Sequence, residues 1–549
     1  MNIETHDKPT ANKKRRASCG VALGFCAVIG ALTASSITAF ANNGSDHTPT
    51  VTTDKGIVKG TATAAGRQFL GIPYAAPPVG ELRWQPPRAV ARWHAPRDAT
   101  QFGNNCPQFG TPFGLQSFNE DCLYLNVYTP PQHHGLKRRP VMVWIHPGAF
   151  QFGEGDDYDP RKLVERGVLV VTINYRLGAL GFLAHPALSA ASATGSSGNY
   201  GIMDQQAALK WVRRNIAHFG GDPDNVTIFG ESAGGLSVHT HLASPRSKGL
   251  FDRAIIQSGA YSLTQPTLAQ AEGEGVAFAA SVGCAAQDLA CLRAVPAIAV
   301  LTNQRPAALG FLPNLDHAVL PMSVGDALAS GRFNRVPVMQ GSTHDEYRLF
   351  LPLFFDFVSG PVSADLYPVA ISILLAIPPA AVGPIVAQYP LANYPSPSIA
   401  LGAVATDAVF ACNRQTSTER LSQYVPTYVY EFNDATAPQR YLPPASFPYG
   451  AYHESELQYL FDIVTSLPGA PLNEAQEKLS RTMVGYWSNF AYSGNPNLGP
   501  RGLAGPLWFR DSRFSSVVQS LELPRPRASS GAAFSNDHHC AFWSSFFGM

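Results

Sequence analysis

The stretch Val226-Thr-Ile-Phe-Gly-Glu-Ser-Ala-Gly-Gly235 constrains the fold of this chain more than any other. Its first four residues are β-branched or aromatic and read as a buried strand. Gly230, Ser232 and Gly234 then spell Gly-x-Ser-x-Gly, and Leu236 to Leu242 can run on as a helix. A serine on so tight a strand-to-helix turn is held in a strained backbone conformation, with its Oγ pushed outward. Glycines two residues to either side let neighbouring chain pass where a Cβ would collide. The N–H of Ala233, at the helix start, points to where an oxyanion would form. Such pentapeptides also arise by chance in loops. The strand before this one and the helix after it supply the context that gives it meaning.

The surrounding chain supplies more strands of the same kind. Val141-Met-Val-Trp-Ile145 and Val168-Leu-Val-Val-Thr-Ile173 are continuous apolar runs, as expected of strands covered on both faces. Leu123 to Tyr128 alternates, and Gly56–Gly60 with Arg67–Gly71 reads as an early hairpin. Asp204 can cap a helix to His218 in which Ala208, Trp211, Val212 and Phe219 recur at helical spacing, with Gly220-Gly221 ending it. Ala254–Gln257, Val336–Gln340 and Thr427–Phe432 follow as later strands. The pattern predicts an α/β fold, with a large, mostly parallel central sheet, helices on both faces and helical insertions after about Tyr261. Sites on such sheets lie beyond the carboxyl ends of the strands, where Ser232 falls. No linker divides residues 42–549, which read as a single domain.

Lys and Arg number 40 against 39 Asp and Glu, so no charge excess draws the chain to nucleic acid or acidic lipid. Residues 1–41 have the form of an export signal. Lys13–Arg16 is basic, Gly20–Ala34 is apolar, and Ala39-Phe-Ala41 offers small residues for cleavage before Asn42. The apolar run is short of the roughly 18 residues a membrane span needs. Cleavage near Ala41 would leave a secreted or periplasmic protein without a transmembrane segment. Arg15-Arg16 fits twin-arginine export poorly, and Cys19 and Cys26 lack a lipoprotein context. Six cysteines remain in 42–549, an even count that favours disulfides over metal in an exported chain. Loop-closure entropy favours Cys106 with Cys122 and Cys284 with Cys291, leaving Cys412 with Cys540.

A serine hydroxyl needs a positioned base, usually a histidine held by a carboxylate. On a strand elbow the chain order is serine, acid, histidine. Asp345 and Glu346 follow the Val336 strand, and position does not choose between them. His453 lies beyond the Thr427 strand and is the expected base. His538 and His539, beside Cys540, read as structural, and His344 as surface polarity. A second set of oxyanion donors is expected in His146-Pro-Gly-Ala-Phe150, directly after a buried strand. The N–H groups of Gly148 and Ala149 could converge with that of Ala233. Pro147 has no N–H, and His146 would orient the loop. None of this calls for a cofactor or a metal.

With these residues in place the sequence resembles the type-B carboxylesterases, which include cholinesterases, bile-salt-type lipases and fungal lipases. Phe69-Leu-Gly-Ile-Pro-Tyr-Ala75, Glu120-Asp-Cys-Leu-Tyr-Leu-Asn126, Asn174-Tyr-Arg176, Gly198-Asn-Tyr-Gly201 and Phe229-Gly-Glu-Ser-Ala-Gly234 carry the likeness over nearly all of 42–549. The resemblance implies an α/β-hydrolase fold and a serine esterase acting on a small-molecule ester. It implies Ser232 as nucleophile, Glu346 as acid and His453 as base, and its three-disulfide members support the pairing above. Two departures stand out: His-Pro-Gly replaces the family's His-Gly-Gly, and Tyr347 replaces the Gly after the acid. Two readings stand beside a general carboxylesterase: a triacylglycerol or sterol-ester lipase, and a non-catalytic adhesion member. The intact Ser232, Glu346 and His453 argue against the latter. A cholinesterase would need an aromatic cage, and the Cys106–Cys122 loop has Phe109, Phe113 and Phe118 but no Trp. Leu349–Val358 holds four phenylalanines after the acid, and the expectation is either core packing or the lining of an acyl pocket.

Overall fold

In the computed structural model the described residues are 48–131, 138–284, 288–304, 310–464, 467, 469–512 and 514–548. The expected export signal, 1–41, lies outside them. Eleven strands form the main sheet: β1 (Thr61–Thr63), β2 (Gly66–Pro73), β3 (Tyr124–Thr129), β4 (Arg139–Ile145), β5 (Leu169–Ile173), β6 (Gly221–Glu231), β7 (Arg253–Gln257), β8 (Val338–Thr343), β9 (Thr427–Phe432), β10 (Val517–Leu521) and β11 (Arg527–Ser530). Their spatial order is β11-β10-β9-β8-β7-β6-β4-β5-β3-β2-β1. The strands from β5 to β10 in space, by way of β4, β6, β7, β8 and β9, run parallel. The two ends of the sheet are antiparallel.

Both faces of the parallel block are covered, which explains its unbroken apolar runs. Along β4, Val141, Val143 and Ile145 point into one core with Val226 and Ile228 of β6. Met142 and Trp144 point into the opposite core with Phe229. The first face is covered by α1 (Tyr200–Asn215) and α2 (Ala233–Ala243) through Leu209, Trp211, Leu236 and Leu242. The second carries Met483, Trp487 and Phe490 from the long helix Glu474–Ser493. This alternation with period two turns a single sequence run into two layers of packing.

Several details depart from expectation. Arg67–Gly71 lies in β2, but its hairpin partner is β1, not Gly56–Gly60. Ile57–Lys59 instead pairs with Thr50–Thr52 and Arg97–Asp98 in a separate small sheet. Asp204 does not cap α1, which begins four residues earlier with Asn199 at the cap position. Asp204 is buried inside the helix, where its two oxygens accept from Nε and Nη2 of Arg176, each at 2.7 Å. A buried carboxylate is tolerable only with such a partner, and the partner is 28 residues away in sequence. Strands β10 and β11 went unanticipated; Val517–Leu521 is short and mixed, and pairing with β9 and β11 defines it. The α-helix stops at Asn215, short of the expected His218; the 3-10 turn Ile216–Phe219 continues it, and Gly220 ends that turn in the left-handed conformation at φ 97°.

The three bridges are Cys106–Cys122, Cys284–Cys291 and Cys412–Cys540. Among the described residues no single helix is long and apolar enough to cross a membrane.

Candidate active site

Strand β6 ends at Glu231, and Ser232 takes φ 51° and ψ −117° before α2 begins at Ala233. A non-glycine residue in that region is strained and is held there by its surroundings. The Ser232 N–H donates to Gln257 O at 2.9 Å, and its carbonyl accepts from Leu236 N at 2.8 Å. Two neighbours must be glycine. A Cβ on Gly230 would lie 2.5 Å from Gly234 C, and one on Gly234 would lie 2.0 Å from Ile145 O. The elbow is thus pressed onto the end of β4, with Gly230 in register beside Ile145.

That contact brings the expected donor loop to the serine. Gly148, Ala149 and Phe150 follow β4 at φ 107°, 53° and 59°, three consecutive left-handed residues. Among the described residues, the N–H groups of Gly148, Ala149 and Ala233 make no hydrogen bond. His146 is buried, stacked on Tyr175 with ring centroids 4.4 Å apart, and its Nδ1 meets Pro147 O at 2.7 Å. Burial pushes its pKa down to about 4, so the ring is neutral and serves the loop's shape. Sequence reasoning missed a brace on the far side of this loop. Gln108 accepts from Gly153 N at 2.7 Å and donates to Glu154 Oε2 at 3.1 Å, tying the Cys106–Cys122 loop to the donor loop.

The two adjacent acids part company. Glu346 is fully buried; its Oε1 accepts from Thr343 N at 2.9 Å, and its Oε2 lies 2.5 Å from Nδ1 of His453. Asp345 faces Arg348 at 2.9 Å, His344 at 3.1 Å and the N–H of Ala451 at 2.9 Å, locking the two loops together. His453 is 1 % exposed and packs against both Phe350 and Phe410, with ring centroids at 4.9 and 5.1 Å. Its Nε2 has no hydrogen-bond partner among the described residues and sits 3.2 Å from Oε1 of Glu231. No hydrogen bond joins Nε2 to the half-buried Ser232.

His538 and His539 are not brought to the serine. His538 is clamped between Asp407 at 2.5 Å and Glu431 at 2.6 Å. His344 was expected to be plain surface polarity. It instead pairs with Asp345 and with Asp537 at 3.2 Å, and although burial opposes it these hydrogen bonds hold its pKa well above the usual value.

The structure adds residues that sequence reasoning did not assign. Glu231, Glu454 and Glu456 are all buried around His453. Burial, then the neighbouring Glu454 and Glu456, pushes Glu231 far above the carboxylate range. Burial raises Glu454 to about 8 and Glu456 to about 7, the latter accepting from Gln257 Nε2 at 3.0 Å. The signal available was their position, one residue before Ser232 and one and three after His453. Phe410 comes from a π-helical turn, Thr406–Ala411, that no local pattern announces. Of the two roles expected for Leu349–Val358, core packing holds for Phe355 and not for the whole segment. Phe350 packs on His453, Phe355 is buried in a core, and Phe354 and Phe357 are exposed.

The model of the carboxylesterase family matches residues 47–513. The para-nitrobenzyl esterase of Bacillus subtilis is 37% identical over 496 residues, covering 86% of this chain and 94% of that protein. The cocaine esterase of Homo sapiens is 34% identical over 515 residues, covering 88% of each. The fumonisin B1 esterase of Sphingopyxis macrogoltabida is 43% identical over 293 residues, covering 51% of this chain and 53% of that protein. A solved structure of a PNB esterase superimposes with a TM-score of 0.73 at 34% identity, covering 89% of this chain and all of that one.

Proposed function

This chain belongs to the carboxylesterase family and is a serine-type carboxylic ester hydrolase; from that premise we propose that Ser232, His453 and Glu346 carry the reaction through an acyl-enzyme. The observation that supports this most is the 2.5 Å contact between Glu346 and Nδ1 of His453, which fixes the tautomer with a lone pair on Nε2. Ser232 Oγ attacks the ester carbonyl carbon as Nε2 takes its proton. The N–H groups of Gly148, Ala149 and Ala233 hold the oxyanion, and Glu346 stabilises the imidazolium. The intermediate collapses, the proton passes to the leaving alkoxide, and the alcohol departs from acyl-Ser232. Water then attacks the acyl carbon, giving its proton to Nε2. The second collapse frees the acid and returns the proton to Ser232. No step needs a cofactor or a metal.

The related esterases and the Phe350 and Phe410 rings on His453 support an uncharged, apolar ester as substrate. A triacylglycerol or sterol-ester lipase is the second reading, favoured by the exposed Phe354, Phe357 and Val358 that continue from Phe350 to the surface. Three disulfides suggest an extracellular or periplasmic location. We read residues 1–41 as the signal that takes the protein there and 42–549 as one hydrolase domain. The deciding experiment is turnover of p-nitrophenyl esters by Ser232→Ala. A well-folded variant should lose a factor on the order of 10⁴ or more in kcat. Activity like the parent's would end the assignment.

A further inference from the structure

We propose that Nε2 of His453 and the carboxylates of Glu231 and Glu454 form an inhibitory site for a borderline divalent cation of the zinc class. The three residues each offer one ligand atom, and these atoms all lie within 4.8 Å of one another. Nε2 and Oε1 of Glu231 are 3.2 Å apart. Two ligands about 2.0–2.2 Å from a shared zinc, at a tetrahedral angle, are separated by roughly that distance. Imidazole nitrogen and carboxylate oxygen are both ligand types that zinc accepts. Magnesium and calcium favour all-oxygen shells and would be held less well.

The hydrogen bonding points the same way. His453 Nε2 and both oxygens of Glu231 are buried, and none has a hydrogen-bond partner among the described residues. The other ring nitrogen meets Glu346 at 2.5 Å, so a carboxylate stands behind the imidazole as it does behind zinc-bound histidines. Glu454 sits at φ 68°, a strained position for a residue with a side chain, and its carboxyl lies beside that of Glu231. The cluster of His344, Asp537 and His538 is equally close-set, yet its ring nitrogens already meet Asp345, Asp537, Asp407 and Glu431. That cluster is an ion-pair network with no free ring nitrogen to offer.

A cation on Nε2 takes the lone pair that must accept the serine proton. Occupancy and turnover therefore exclude each other, a consequence that rests on His453 being the base; the binding itself does not. The test is calorimetric titration of the full-length oxidised protein with zinc chloride in a non-chelating buffer, run beside p-nitrophenyl butyrate hydrolysis. One zinc should bind per chain, activity should fall in parallel, and EDTA should restore it. Magnesium at the same concentration should do nothing. Glu454→Gln should weaken zinc binding about tenfold or more, read by calorimetry. His453→Ala should abolish binding by calorimetry, whatever its activity. Failure to bind zinc overturns the proposal. So does parental affinity in a Glu454→Gln variant with an unchanged Tm, and so does binding that survives His453→Ala, which would belong to surface groups. If zinc binds as stated but His453→Ala still hydrolyses esters normally, the cation site stands and the assignment of the base fails.

Discussion

Asp345 and Glu346 are neighbours in sequence with opposite surroundings. The carboxylate of Glu346 can serve His453, while that of Asp345 is spent on Arg348, His344 and the Ala451 N–H. Glu346→Gln should cost on the order of 10³–10⁴ in kcat by removing support for the imidazolium. Asp345→Asn should lower Tm with at most a modest effect on kcat; a reversal of the two in steady-state kinetics would move the acid to Asp345. His538 makes a separate prediction. Burial alone would lower its pKa, but Asp407 and Glu431 prevail and raise it to about 9 from an ordinary 6.5. The folded protein therefore keeps a proton that the unfolded chain releases above about pH 6.5. The stabilisation is complete below that pH and is lost as the pH rises through about 9. Thermal unfolding of the parent should accordingly drop from about pH 7 to about pH 10. In His538→Gln it should start lower and change less over that window.

At the scale of elements, the site is assembled from the turn after β6, the loop after β4, the short 3-10 turn Glu346–Leu349 after β8, and the loop after β9 that carries His453. Parallel register places all of these strand ends on one edge of the sheet. Phe350 follows the 3-10 turn, Phe410 comes from the π-helical turn, and the two rings lie nearly parallel with centroids 6.4 Å apart. Phe350→Ala and Phe410→Ala should shift the dependence of kcat/KM on acyl length, which a filled apolar pocket raises about fourfold per methylene. Phe354→Ala, at an exposed position, should leave that profile unchanged in the same assay. Phe355→Ala should instead act on stability, by about 3–5 kcal/mol as for other buried phenylalanines, read by denaturant unfolding.

At the scale of the whole molecule, Cys412–Cys540 joins positions 128 residues apart and ties the last helix, Cys540–Phe547, to the core. Next to it, Trp543 Nε1 donates to Tyr389 OH at 2.6 Å, and that hydroxyl donates to Asp407 at 2.7 Å. Replacing both cysteines by Ala should cost about 2–5 kcal/mol and shorten the half-life of activity on heating, while leaving zinc-free kcat/KM near the parent's at 25 °C. Export has its own check. The N-terminus of protein recovered outside the cytoplasm should begin near Asn42, and retention of Met1 there would remove the signal reading.

The strand–elbow–helix, the apolar runs of the parallel block and the bridges Cys106–Cys122 and Cys284–Cys291 are legible in the sequence alone. Each is written in local terms: β-branched runs, glycines that admit no Cβ, and short loops that close at low entropic cost. The choice between Asp345 and Glu346 was open to residue chemistry alone, since both are carboxylates at one strand end; the family likeness pointed to Glu346, and geometry puts that carboxylate on His453. Tertiary structure alone gave Asp204 its partner, because Arg176 reaches it across the fold, not along the chain. It also moved the β2 hairpin to β1, split the Leu349–Val358 phenylalanines between the His453 ring, a core and the surface, and gathered Glu231, Glu454 and Glu456 around one imidazole. A buried charge is defined by what surrounds it, and what surrounds these comes from strands and loops more than 100 residues apart.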